Sequence, residues 1–138
     1  MTKDDLINHI FNHNAAETFP IPPKTILLEE GKIADRIYLV RKGCLRLFFY
    51  SEGKDITFQF FFEGDFVASF DSLYKETPSL FSLESIEPSE VLYIKKRDFY
   101  DKIESNSSLR KLYEEKIIER FSFYQHLFLS RIKNTPQQ

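Results

Sequence analysis

Four glycines divide the first two thirds of this chain at regular intervals. Gly31, Gly43, Gly53 and Gly64 each follow a charged residue, and they lie 12, 10 and 11 residues apart. Glycine suits tight turns because it adopts a positive φ without steric cost. Turns spaced by about 8–12 residues are typical of a β-sandwich or roll. The spacing therefore predicts a mainly β domain of the jelly-roll kind.

Alternating side chains between these turns support the same interpretation. Ile56, Phe58 and Phe60 occupy one face of a strand, while Thr57 and Gln59 occupy the other. The predicted strands cover residues 25–29, 36–41, 44–49, 56–62, 81–86 and 90–94. Three prolines within residues 18–24 predict an extended entry to the first strand. The long connection 65–80 interrupts the rhythm, and such a connection is usually functional or contains a helix of its own.

Helical patterns lie at both ends of the chain. Short helices are predicted over residues 3–13 and 96–103, and a long helix is predicted from the capping run 106–108 to about Lys133. Its apolar stripe consists of Tyr113, Ile117, Phe121, Tyr124, Phe128 and Ile132. The helix that carries this stripe is about 40 Å long at 1.5 Å per residue. Asn134 and the proline two residues later end the pattern.

Further apolar residues lie outside the stripe of this long helix. They are Ile118, Phe123, Leu127 and Leu129. A helix that is apolar on several sides must be buried against more than one surface. The simplest second surface is another copy of the chain, so we predict a homodimer. Its seam is predicted to contain Tyr113, Ile117, Phe121, Tyr124 and Phe128. The alternative is a helix that packs entirely on its own domain.

The composition excludes several classes of protein. A chain of 138 residues with 42% apolar residues forms about one folded domain, and a net charge of −2 gives no bulk attraction for nucleic acid. No stretch approaches the roughly 18 apolar residues that a membrane-spanning helix needs. The acidic, polar start is unlike a signal peptide. A single cysteine, Cys44, excludes an internal disulfide, so a cytoplasmic location is expected.

Catalytic and metal-binding patterns are weak. His9 and His13 have an i, i+4 spacing that could bind zinc, but two helix-surface histidines are the simpler interpretation. Cys44 has no nearby histidine in sequence and is interpreted as a structural thiol. Residues 25–94 contain no histidine, which argues against a cupin-like metal enzyme. We therefore predict no enzyme activity, no metal and no cofactor.

Several runs resemble one known family. Residues 30–43 resemble the second and third strands of the cyclic-nucleotide-binding domain of Crp/Fnr transcription regulators, with a turn glycine, an acidic residue, an apolar–Tyr pair and a second turn glycine. Residues 63–67 resemble the strand that enters the phosphate-binding cassette of that family. Residues 91–94 with Phe99 resemble its last strand and following helix, and the long helix resembles its dimerisation helix. The resemblance covers about residues 18–138.

The resemblance also implies where a ligand would lie. In cAMP-binding members the cassette supplies a Glu for the ribose, then an Arg and a Ser or Thr for the phosphate. This sequence has Ser69, Ser79 and Leu80 at those positions, and each lost charge-assisted hydrogen bond forfeits about 1.5–3 kcal/mol. We therefore predict that the domain does not bind cAMP or cGMP in the family manner. A smaller or apolar ligand could take the pocket instead, or phenylalanines could fill it.

The residues predicted to form the pocket follow from the resemblance. They are Gly64, Asp65, Phe66, Val67, Ala68, Ser69, Ser79 and Leu80, with Tyr124 and Gln125 closing it from the long helix. The phenylalanines that could fill it are Phe62, Phe66, Phe70 and Phe81.

The resemblance predicts a three-part organisation. Residues 1–105 form the sensory roll, 106–134 the dimerisation helix, and 135–138 the start of a hinge. In the family the hinge leads to a helix-turn-helix domain, which this sequence lacks, so DNA contact is expected only through such a missing domain. The predicted function is ligand sensing in a transcription regulator, with an unidentified small molecule. The alternative is a stand-alone dimeric interaction module with a vestigial pocket.

Overall fold

The computed structural model describes residues 10–11 and 18–134. The strands come first along the described chain and the two longest helices follow them, as the sequence predicts. The strands are β1 (Phe19–Ile21), β2 (Ile26–Leu28), β3 (Arg36–Lys42), β4 (Leu45–Ser51), β5 (Lys54–Phe61), β6 (Phe66–Val67), β7 (Ser82–Ser85) and β8 (Ser89–Lys95). The helices are α1 (Phe70–Lys75), α2 (Lys96–Ser105) and α3 (Ser107–Lys133).

Two four-stranded antiparallel sheets form the roll. The first has the order β1-β8-β3-β6 and the second the order β2-β7-β4-β5. Because β3 and β4 pair with strands that are distant in sequence, neither sheet is a simple meander. This double-sheet arrangement is that of a jelly roll, and it confirms the predicted fold class.

The six strands predicted from alternation are confirmed, with ends that differ by one or two residues. β1 forms within the extended entry, where no strand was predicted. The long connection 65–80 contains β6 and then α1, so it has a helix of its own. α2 and α3 confirm the two C-terminal helices. The helix predicted over residues 3–13 lies outside the described residues, apart from Ile10 and Phe11.

Both faces of β3 are buried, which explains its continuous apolar run. Tyr38 and Val40 face the interior of the roll, between the two sheets. Ile37 and Leu39 face a second apolar cluster beneath α2 and the start of α3. A strand covered on both faces loses the alternation of apolar and polar residues that marks a half-exposed strand.

Gly43 shows why one of the turn glycines cannot be replaced by another residue. Its φ is +94°, and a Cβ at this position would overlap the Ser89 hydroxyl and lie 2.8 Å from the Pro88 carbonyl oxygen. The Ser89 hydroxyl is needed there because it accepts a hydrogen bond from the Cys44 amide at 3.2 Å. Both the backbone angle and the close approach therefore require glycine.

The start of α3 has the predicted cap. The Asn106 side chain accepts hydrogen bonds from the amides of Ser108 and Leu109, at 3.0 and 3.2 Å. Leu109 is the one fully buried residue of the helix. Beyond the first turns α3 becomes progressively more exposed.

Candidate ligand site

The hydroxyl groups of Ser69 and Ser79 meet inside the roll. Their Oγ atoms are 2.8 Å apart, and the two residues are 6% and 3% exposed. Ser79 Oγ also lies 2.7 Å from the Phe81 carbonyl oxygen and accepts a hydrogen bond from the Phe81 amide at 3.1 Å. The polar capacity of these two side chains is therefore used within the chain rather than directed at a ligand.

The connection that contains both serines is firmly attached to the roll. Ser72 accepts a hydrogen bond from the Ala34 amide at 2.9 Å and donates one to the Thr77 carbonyl at 2.5 Å. The Ser79 backbone pairs with the preceding turn, donating to the Lys32 carbonyl and accepting from the Gly31 amide. Residues 65–80 are therefore held against the roll by hydrogen bonds and do not form an open loop.

Little space remains next to Ser69. A cavity of about 10 Å³ lies there, between β2, β3 and β7. A cavity of this size holds at most a single water molecule, whereas pockets for small molecules enclose several hundred Å³. Phe81 packs against the apolar cluster inside the roll, whereas Phe62 is 58% exposed.

The connection offers no free cation to this interior. Lys75 lies on the exposed side of α1, where its ammonium group pairs with Asp71 at 3.2 Å. Leu80 is 66% exposed. Thus the positions that the resemblance gives to a glutamate, an arginine and a phosphate-binding hydroxyl hold two mutually bonded serines and a leucine that faces solvent.

A larger cavity of about 270 Å³ lies on the other side of the first sheet, between the roll and α3. Its lining is mostly apolar and includes Ile10, Ile37, Gln59, Gly64, Asp65, Phe66, Phe70, Phe99, Tyr113, Lys116, Ile117, Glu119, Arg120 and Phe123. Three of the predicted pocket residues, Gly64, Asp65 and Phe66, therefore line this cavity. Val67 and Ala68 are buried in the two apolar clusters.

Arg120 lies in the wall of this cavity, although the sequence analysis did not place it among the site residues. Its Nη2 donates a hydrogen bond of 2.7 Å to the Phe66 carbonyl, and its Cζ lies 5.2 Å from the Phe61 ring centroid and 5.9 Å from that of Phe70. Its spacing from Ile117 and Tyr124, three and four residues away, was the available signal. Residues at these spacings share one face of a helix.

Tyr124 ties the middle of α3 to the second sheet. Its hydroxyl donates a hydrogen bond of 2.5 Å to Gln59 Oε1, and its ring lies 5.4 Å from that of Phe58. Burial raises the pKa of this phenol, so it stays neutral and acts as a donor. Gln125 is exposed, so the structure does not bring it to Ser69 and Ser79.

Tyr113 supplies a second half-buried phenol on α3. Its ring packs 5.2 Å from that of Phe99 and 6.5 Å from that of Phe70. Burial raises the pKa of Tyr113, and the nearby Tyr100 hydroxyl raises it further. Tyr113 also lines the cavity of about 270 Å³.

The five residues predicted for a dimer seam divide between two surfaces. Tyr113, Ile117 and Tyr124 face the chain's own domain, where the first two line the cavity. Phe121 and Phe128 are 58% and 65% exposed. The seam itself remains a prediction.

Within residues 10–11 and 18–134, no three His, Cys, Asp or Glu side chains lie close enough together to hold a metal ion. Among the same residues, no helix is both long and apolar enough to span a membrane.

The family follows from sequence comparison. Residues 18–106 match the model of the cyclic nucleotide-binding domain. The chain belongs to this family. A search of curated protein sequences finds no significant match.

Solved structures of cyclic nucleotide-binding domains and of related regulators share the fold. The sensor domain of the transcriptional regulator DNR from Pseudomonas aeruginosa is 16% identical, with a TM-score of 0.69 over 97% of this chain and 93% of that one. Catabolite activator protein of Thermus thermophilus is 20% identical, with a TM-score of 0.68 over 91% of this chain. The regulatory domain of Toxoplasma gondii PKA, solved with cAMP, is 18% identical, with a TM-score of 0.60 over 71% of this chain.

This cyclic nucleotide-binding domain is shorter than most of those proteins. It spans 63% of the Thermus protein and 42% of the Toxoplasma protein.

Proposed function

We propose that this chain is the ligand-sensing and dimerisation domain of a Crp/Fnr-like transcription regulator, and that its roll does not bind cyclic nucleotides. The observation that carries the proposal is the hydrogen bond between Ser69 and Ser79, which occupies the interior that a cyclic phosphate would need. A buried phosphodiester needs room for a cation and several donors around it, and the cavity of about 10 Å³ beside Ser69 is far too small for that.

The regulator role is supported by solved structures of transcription regulators that share both the roll and the long helix. The DNR sensor domain is matched over nearly its full length, the long C-terminal helix included. DNA contact would require a further domain attached after α3, and the proposal assigns no DNA-binding residue to this chain.

The dimer is supported by one exposed row on α3. Ile118, Phe121, Gln125, Phe128 and Ile132 follow one another at spacings of 3, 4, 3 and 4 residues, and the four apolar members are 55–65% exposed. This is the repeat of a two-stranded coiled coil, in which such residues pack against the same row of a second helix. A row of exposed large apolar side chains also favours a partner over solvent.

Signal transfer would use the two ties between α3 and the roll. Arg120 bonds to the Phe66 carbonyl on β6, and Tyr124 bonds to Gln59 on β5. A ligand in the 270 Å³ cavity touches both sides of this contact, so it favours one position of α3 over another. In a dimer that shift changes the angle between paired helices and the spacing of any attached domains.

Calorimetric titration with cAMP and cGMP tests the nucleotide part of the proposal. We expect no binding at micromolar concentrations, and a micromolar dissociation constant for either nucleotide would contradict it. The double variant Ser69→Glu, Ser79→Arg places the family's charged groups in the interior, and any affinity it gains would locate the defect at these two residues.

Sedimentation equilibrium tests the dimer. Phe128→Glu places a charge on the exposed row and should yield monomers, while Tyr74→Glu, at a residue that is 76% exposed on α1, should leave the dimer intact. A wild-type monomer at working concentrations would refute the dimerisation role.

The filled interior of the roll also favours the alternative of a stand-alone interaction module. Such a module would still be a dimer. However, no small molecule would change its thermal stability or the mobility of α3, and this separates it from a sensor.

A further inference from the structure

The cavity between the roll and α3 has in its wall a guanidinium that no described carboxylate pairs with. Arg120 is half-buried in its wall and makes no ion pair with any carboxylate among residues 10–11 and 18–134. One of its five N–H groups bonds to the Phe66 carbonyl, and aromatic rings of Phe61 and Phe70 lie beside it. A guanidinium in such surroundings gains from a planar anion that two of its N–H groups can bind together.

The other charged residues of the lining are Lys116 and two carboxylates, those of Asp65 and Glu119. Lys116 and Glu119 pair with each other at 3.2 Å. The Asp65 carboxylate accepts a hydrogen bond from the Phe62 amide at 2.8 Å. Of the two cations in the lining, Arg120 is therefore the one left without a carboxylate partner among the described residues.

The size and lining of the cavity limit the rest of the ligand. About 270 Å³ lies at the small end of the range for small-molecule pockets. Around the guanidinium the walls are aromatic and aliphatic, with Phe70, Phe99 and Ile117 among them. A single unpaired cation in a mostly apolar chamber suits a monoanion with an apolar body better than a multiply charged phosphate.

We propose that this cavity binds a small organic carboxylate with an aromatic or short aliphatic body, its carboxylate held by Arg120. The proposal deepens the sensing role above and rests on it. It also gives that role a physical link, since the arginine lies on α3 while its present partner, the Phe66 carbonyl, lies on β6. A ligand whose carboxylate binds Arg120 adds a second contact between α3 and the roll, beside the bond to the Phe66 carbonyl.

The test compares acids with their own amides, which differ in charge but hardly in shape. Calorimetric titration uses 3-phenylpropanoate and octanoate against 3-phenylpropanamide and octanamide, with the wild-type chain. We expect at least one acid to bind, about tenfold or more tighter than its amide, because a charge-assisted pair is stronger than a neutral hydrogen bond. Equal binding of acid and amide, or binding of neither, overturns the proposal.

Two variants on α3 test whether Arg120 causes the preference for the acid over the amide. Arg120→Gln should remove the preference for the acid, while Arg110→Gln should keep it. Arg110 is a matched control because it lies on the exposed side of α3 and also bonds to a backbone carbonyl, that of Glu104. If Arg120→Gln keeps the full preference, the assignment to Arg120 is wrong. If that variant does not fold, the wild-type comparison of acid and amide still decides.

The same samples separate this proposal from the broader one. When neither acid binds but the chain is dimeric and does not bind cAMP, the carboxylate is refuted and the sensing role stands with another ligand. When cAMP binds at micromolar concentrations, the proposed function itself fails, whatever the acids do.

Discussion

Ser69 and Ser79 share a hydrogen bond of 2.8 Å between their hydroxyl oxygens, although ten residues and the helix α1 separate them in the chain. The pair joins the end of β6 to the segment before β7, and only a cavity of about 10 Å³ remains beside it. A nucleotide entering there would have to break this bond and move the buried backbone around it. The pair therefore explains the lack of space, and it is a structural contact in its own right.

Removing one of these hydroxyls should destabilise the domain. In Ser79→Ala the Phe81 amide and the Ser69 hydroxyl both lose a buried partner, so we expect a loss of about 1–3 kcal/mol in the free energy of unfolding. Urea denaturation measures this loss. Ser107→Ala, at an exposed position in the first turn of α3, serves as the control and should change little. Equal stability of Ser79→Ala and wild type would show that the pair is not a structural contact.

Two turn glycines provide a matched comparison. Gly43 and Gly53 both have positive φ, +94° and +77°, but only at Gly43 would a Cβ meet other atoms. Gly53→Ala should cost about 1–2 kcal/mol for the left-handed backbone alone. Gly43→Ala should cost clearly more, because Ser89 or the Pro88 carbonyl must also move. Thermal unfolding of both variants measures the difference, and a larger loss for Gly53→Ala would contradict the structure.

A pH dependence follows from the ion pair of Arg46. Its guanidinium bonds to both Asp55 oxygens, at 2.6 and 2.5 Å, and also to Glu84. Hydrogen bonding to Arg46 lowers the pKa of Asp55. A carboxylate whose pKa is lowered by folding stabilises the folded state above its unfolded pKa, and this contribution is lost as the pH falls through the folded value.

Asp55→Asn should therefore be less stable than wild type at pH 7, and the difference should shrink below about pH 4, where aspartate begins to protonate. Urea denaturation at pH 7 and pH 3 measures both values. Asp101→Asn, on the exposed side of α2, controls for the loss of a carboxylate as such. A difference that grows towards low pH would have the wrong sign and would refute the interpretation.

The bond between Tyr124 and Gln59 predicts a local effect on α3. Tyr124→Phe keeps the aromatic packing against Phe58 but removes the 2.5 Å hydrogen bond. Hydrogen exchange of the α3 amides after residue 117 should become faster, while the roll should be protected as before. Tyr74→Phe, at an exposed tyrosine, is the control and should change neither. Unchanged exchange along α3 would mean that other contacts hold the helix.

The regular parts of the fold could be predicted because each left a local signal. Turn glycines, two-residue alternation and the cap at Asn106 act over a few neighbouring residues, and the structure confirms all three. β1 left no such signal, since it is only three residues long and contains Pro20. It forms because β8 offers an edge to which it can pair.

The candidate site depended on contacts that no short stretch of sequence contains. The resemblance gave Ser69 and Ser79 as substitutions within a ligand pocket, but their mutual bond arises only when α1 folds back between them. In the sequence, Arg120 is one of several basic residues near the C-terminus. Its contact with Phe66 depends on the packing of α3 against β6, which no local pattern indicates.

By itself the sequence determined the jelly roll and the long C-terminal helix, since both depend on residue type and local spacing. Only the tertiary structure decided that the roll interior is closed and that a cavity with Arg120 in its wall lies outside it. Cavities and hydrogen bonds between distant residues result from how elements pack, and that packing is set by the whole core at once.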